Sequence, residues 1–80
     1  FNPSTLIPFS LADATPATLS VYDIRGALVV TLVDRIMSAG EHTVTWNGRD
    51  AAGNQAGTGV YFCVLRAGKT TLTRKMVMLK

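Results

Sequence analysis

The sequence predicts an all-β fold, an antiparallel β-sandwich, and three observations carry the prediction. Apolar residues recur with period two rather than 3.6 through most of the chain. Turn residues interrupt that pattern about every 8–12 positions, the spacing of short strands packed in two layers. One long polar connection, Asn47 to Thr58, is rich in glycine and divides the last two strands from the rest. No segment requires a helix of normal length.

Ile7, Phe9 and Leu11 alternate with Pro8 and Ser10 and form the first strand. Pro8 has no N–H to give a ladder, so this strand belongs at an edge or pairs on one side only. Asp13-Ala-Thr-Pro16 is turn chemistry. Leu19 and Val21 then alternate with Thr18, Ser20 and Tyr22 in a second strand that runs to Asp23. Arg25-Gly26 turns the chain into a third strand, Leu28 to Val33. That run is apolar on both faces, and its β-branched content favours strand over a short helix. Ser38-Ala-Gly40 makes the next turn. His42, Val44 and Trp46 alternate with Thr43 and Thr45, the clearest half-buried strand in the chain. Within 47–58, Asn-Gly and Gly-Asn pairs readily adopt positive φ and supply tight turns. Val60 to Arg66 is apolar on both faces and reads as a central strand covered on both sides; Ala67-Gly68-Lys69 closes a hairpin onto the last strand, Thr71 to Leu79.

The chain has 80 residues, enough for one domain over residues 1–80. A domain of this size buries about 60–65% of the surface its unfolded chain exposes, so each large apolar side chain matters. An apolar content of 48% argues against disorder, and a charged content of 16% is low. The chain starts at Phe1 without a basic-then-apolar leader. It therefore reads as the C-terminal fragment of a longer exported protein, with any leader upstream. It holds no apolar run of the ~18 residues that a membrane span needs. Cys63 is the only cysteine, which excludes an internal disulfide framework and points to a bacterial source.

Net charge is +3 and unevenly spread. Residues 1–48 hold Arg25 and Arg35 against Asp13, Asp23, Asp34 and Glu41, a balance of −2. Residues 49–80 hold Arg49, Arg66, Lys69, Arg74, Lys75 and Lys80 against Asp50, a balance of +5. No aromatic residues interleave with these cations, so the reading is a solvated strand face and not a nucleic-acid site.

Candidate sites reduce to structural readings. The 47–54 loop has oxygen donors, but only Asp50 carries negative charge and no bidentate Glu follows, so a turn without metal is expected. Trp46 shares parity with Val44, which assigns it to the core rather than to a sugar-stacking platform. Cys63 lies within an apolar run and reads as a small buried hydrophobe. His42 is the only histidine, and no reactive Ser motif accompanies it, so no catalytic triad is available. Gly68-Lys69-Thr70 lacks the earlier glycine of a phosphate-binding loop, since position 63 is Cys. No enzyme activity and no cofactor are expected.

Five motifs in order carry a resemblance: Phe-Asn-Pro-Ser-Thr-x-Ile-x-Phe-x-Leu (Phe1 to Leu11); Leu-x-Val-Tyr-Asp-x-x-Gly (Leu19 to Gly26); Gly-x-His-x-Val-x-Trp-Asn-Gly-x-Asp-x-x-Gly (Gly40 to Gly53); Gly-x-Tyr (Gly59 to Tyr61); and Thr-Arg-Lys-Met (Thr73 to Met76). Together they resemble the C-terminal sorting domain of type IX secretion substrates and the similar immunoglobulin-like domain of the flagellar hook-capping protein. The resemblance spans essentially the whole chain. It implies an immunoglobulin-like, fibronectin III-like β-sandwich of about seven strands, in which Tyr61, ahead of Cys63, ties down a neighbouring loop through its hydroxyl.

For function, the resemblance implies first a sorting module. Such a module directs an upstream cargo domain through the outer-membrane secretion machinery, by way of the periplasm, to the cell surface or outside. Thr73, Arg74, Lys75, Met76, Val77, Met78, Leu79 and Lys80 are the recognition candidates under that reading. An alternating terminal strand offers its edge, and its cations steer it to an acidic surface. The alternatives are an assembly domain of the hook-capping kind and an accessory carbohydrate- or protein-binding module of a secreted enzyme.

Overall fold

The computed structural model describes residues 4–79. Six strands follow in chain order: β1 (Thr5–Leu11), β2 (Thr15–Asp23), β3 (Leu28–Met37), β4 (Gly40–Trp46), β5 (Gly59–Ala67) and β6 (Thr70–Met78). They build two antiparallel sheets, a small one of β1 and β4 and a larger one ordered β3-β2-β5-β6. The all-β sandwich is as the sequence predicts, with six strands among the described residues where about seven were expected. The 47–58 connection contributes no further strand; it forms a hydrogen-bonded loop with a single bridge between Arg49 and Gln55.

Strand positions follow the alternation closely, and the differences have causes. Thr15 and Pro16 join β2 instead of the turn before it. Pro16 is tolerated at this strand start, opposite Ile36 of β3 and ahead of the pairing with β5 that begins at Ala17. β3 continues past Val33 to Met37, because Asp34 and Ile36 point to the outer face while Met37 returns to the core. Pro8 sits in β1, which pairs with β4 alone. Gly68 and Lys69 form the two-residue hairpin between β5 and β6, with Gly68 at φ +59°, the sign that a type II′ turn requires at its first central position.

The core lies between the sheets. Ile7 and Leu11 from β1 and Trp46 from β4 meet Leu19 and Val21 from β2, Cys63 and Leu65 from β5, and Met76 and Met78 from β6. β5 is central, as expected, but among the described residues it is covered on one face only. Its outer residues Phe62 and Val64 are half-buried and lie in rows with Tyr22 and Ser20 of β2.

Two turns share one construction. In Asp23–Ala27 the Asp23 carboxylate accepts the N–H groups of Arg25 and Ala27, at 2.9 and 3.0 Å. Backbone bonds join Asp23 N–H to the Ala27 carbonyl and Gly26 N–H to the Asp23 carbonyl. In Asp50–Asn54 the Asp50 carboxylate accepts from Ala52 and Asn54, both at 3.0 Å, with the same two backbone bonds. Gly26 and Gly53 fill the one position with positive φ, at 85° and 88°. Both motifs are therefore Asx-stabilised turns in which the ionised carboxylate is the better acceptor.

The Ala27 amide bond holds the Asp23 carboxyl below its ordinary value of 3.8; partial burial opposes this, and Arg25 adds to it. A carboxyl with a depressed folded value stabilises the fold above its unfolded value, and that contribution is lost as pH falls through the folded one. The melting midpoint is accordingly expected to drop on acidification below about pH 4. Asp23→Asn should flatten that drop. A variant with an unchanged acid profile would remove Asp23 from the account.

Candidate recognition edge

β6 is an edge strand: it pairs with β5 from Gly59↔Met78 to Ala67↔Thr70 and its other side carries no strand among the described residues. Residues opposite each other in an antiparallel pair share a face. The partners Tyr61↔Met76, Cys63↔Arg74 and Leu65↔Leu72 therefore put Met76, Arg74 and Leu72 on the inner face, with Met78 beside Gly59. Met76 and Met78 are buried. Thr71, Thr73, Lys75 and Val77 face outward and are exposed. Of the sequence-predicted recognition residues, Thr73, Arg74, Lys75, Val77 and Leu79 are thus presented to solvent, while Met76 and Met78 anchor the strand. Lys80 lies outside the described residues.

Arg74 departs from the reading of a free surface cation. Its Nη1 donates to the Pro8 carbonyl at 3.0 Å, so it ties β6 to β1 across the open side of the sandwich. Nothing in the spacing of the sequence announces that contact, which joins residues 66 positions apart.

The other singled-out residues are structural. Trp46 is fully buried, packs edge-on to Tyr61 with ring centroids 5.1 Å apart, and donates its indole N–H to the Arg49 carbonyl at 2.9 Å. Arg49 in turn donates through Nη1 to the Gly53 carbonyl at 2.8 Å, fastening the 47–54 loop over the indole. Tyr61 Oη donates to the Gly57 carbonyl at 2.6 Å, the loop-tying bond expected of it. His42 stacks on Phe9, its cross-strand partner, and Nε2 donates to the Ser38 carbonyl at 2.8 Å. Cys63 is buried, and that burial pushes its thiol up, only partly offset by the charge of Arg74. A thiol held neutral and enclosed is a poor nucleophile. Among the described residues no three His, Cys, Asp or Glu side chains gather as metal ligands. No described helix is long and apolar enough to cross a membrane.

Residues 3–71 match the family model of the FlgD Ig-like domain. The chain belongs to that family. The FlgD Ig-like match ends at the start of β6, so most of the recognition edge lies beyond the matched residues. Two solved structures share the fold. FlgD from P. aeruginosa superposes with a TM-score of 0.75 at 21% identity, over 94% of this chain and 59% of that one. FlgD from Xanthomonas campestris, studied for the hook capping essential for flagellar assembly, gives 0.73 at 23% identity, over 95% of this chain and 56% of its own. The chain therefore spans less than two thirds of the length of either. At such identities the likeness speaks for the fold. No curated protein matches the chain.

Proposed function

We propose that this FlgD Ig-like domain is a non-catalytic structural module of an exported protein assembly, of the hook-capping kind. Its family membership over residues 3–71 is the observation that carries the reading. The surface supports it: Ile24, Leu28, Ile36 and Val77 are exposed apolar side chains, and neither edge of the larger sheet pairs with a further strand among the described residues, β3 being met only by the Ala51 N–H on its Val29 carbonyl. These are features by which a sandwich packs against neighbouring subunits. The module would work outside the cell, beside other domains of its own protein. A hook-capping protein whose own Ig-like region is replaced by this chain should restore hooks to a cap-deficient bacterium, scored by electron microscopy. A chimera that is folded and exported yet leaves the cells without hooks overturns the reading.

A second reading rests on β6. Its exposed Arg74 and Lys75 and its unpaired side suit recognition by an export receptor, as a sorting module of the type IX kind would need. The partners would then be the outer-membrane secretion machinery and an upstream cargo domain. No comparison supports this reading, and it stands second.

A further inference from the structure

We propose that the open side of the sandwich, between the free edge of β1 and the inner face of β6, binds an extended, carboxylate-bearing segment of a partner protein as a third strand of the small sheet, with Arg74 as its selector. The proposal holds whether the module serves assembly or sorting.

The first observation is a mismatch of width. Strands lie about 4.8 Å apart, so two strands cover roughly half the face that four present. The uncovered part is visible on β6. Leu72 and Arg74 share the inner face with buried Met76, yet Leu72 is 54% exposed. Between this face and β1 runs a cleft. One part of it, about 180 Å³, has Ile7, Phe9, Leu19, Cys63 and Leu65 as apolar lining and Arg74 as its charged lining residue. It shares Leu65 and Leu72 with a second hollow of about 410 Å³ beside Ser10 and Lys69.

The second observation concerns the backbone of β1. Antiparallel neighbours alternate between residues whose N–H and C=O face the partner strand and residues whose groups face away. The Arg74 bond shows that the Pro8 carbonyl faces away from β4, towards the cleft. Ser10, two residues on, has the same orientation. Pro8 has no N–H to leave unmet there. An incoming strand would set its own N–H on the Pro8 carbonyl in place of Arg74 and continue its pairing at Ser10.

The third observation is charge. Among the described residues the one ion pair is Arg25–Asp23. Arg74 forms no ion pair among them, although Glu41 lines the adjoining groove with it, and displacement from Pro8 would leave its guanidinium free to pair in the cleft. A carboxylate on the incoming segment answers that charge, preferably through two parallel bonds. A second copy of this chain is a poor occupant, because its own unpaired strand β6 brings Arg74 and Lys75 to the same place.

Two blocked nonapeptides test this: Thr-Val-Thr-Val-Glu-Val-Thr-Val-Thr and its counterpart with Lys for Glu, each titrated into the isotopically labelled 80-residue chain. The Glu peptide should shift the amide resonances of Ser10, Leu11 and Leu72 and the side-chain Nε–H of Arg74. It should bind at least about threefold more tightly than the Lys peptide, the scale of an exposed charge pair. Arg74→Gln, which keeps a donor for Pro8, should bring the two peptides to equal affinity. Shifts confined to β3, equal binding by the unsubstituted protein, or discrimination that survives Arg74→Gln would overturn the proposal. Dimerisation of the chain through the same resonances would overturn it as well.

Discussion

Replacing Trp46 with alanine is expected to remove a large part of the domain's stability. Truncation of a fully buried Trp costs about 3–5 kcal/mol. An 80-residue domain has only about 4–12 kcal/mol to lose at the usual stability per residue. Trp46 also does more than fill space. Its ring lies edge-on against Tyr61, and its indole N–H holds the Arg49 carbonyl. Arg49 holds Gly53, and the bridge to Gln55 closes the same loop. Alanine therefore removes core volume and releases the 47–54 loop together. Urea unfolding followed by circular dichroism measures the loss. Trp46→Phe, which keeps most of the volume but no donor, should fall between the two. A Trp46→Ala protein that keeps its midpoint would show that the indole is not the centre of this core.

Removing β6 is expected to be as damaging, for a different reason. Deleting residues 70–80 takes away buried Met76 and Met78 and leaves the whole β5 edge, Gly59 to Ala67, without its partner. The shortened chain should lack a cooperative thermal transition. Exchanging Arg74, Lys75 and Lys80 for glutamine should instead leave the midpoint nearly unchanged, within about 0.5 kcal/mol, as is usual for surface positions. The small cost expected at Arg74 reflects one exposed bond to Pro8. Cooperative melting of the deletion variant would mean that β6 is an appendage and not part of the sandwich.

The alternation of apolar residues places β1, β2 and β4, because a half-buried strand with one face in the core writes its parity into the chain, while β3 and β5, apolar on both faces, are legible from β-branched content and the turns that bound them. The burial of Trp46 follows from the same parity, that of Cys63 from its place in an apolar run, and the loop-tying role of Tyr61 from the family resemblance. Other features depend on which strands become neighbours, which parity leaves open. β5 is apolar on both faces in sequence, but its outer face carries no further layer among the described residues, so Phe62 and Val64 remain half-exposed. The two Asp-x-x-Gly turns are legible as turns. Their common hydrogen-bond pattern appears only once the Asp23 and Asp50 carboxylates are seen to fold back on the amides two and four residues ahead. Arg74 reads as one more surface cation until β1 and β6 are placed side by side. The order of the two functional readings also changes. The motif series implies sorting first, whereas the family match over residues 3–71 favours the assembly domain.

In the role proposed, this sandwich is a structural part of an assembly and not an export signal. A secreted reporter enzyme joined ahead of residues 1–80, expressed in a type IX-competent bacterium and followed by cell fractionation, tests it most directly. The reporter should stay in the periplasm with or without the domain, and the glutamine exchanges at Arg74, Lys75 and Lys80 should change nothing. Delivery to the cell surface that requires the domain, and fails when those three charges are removed, would contradict that role and assign β6 to the secretion machinery.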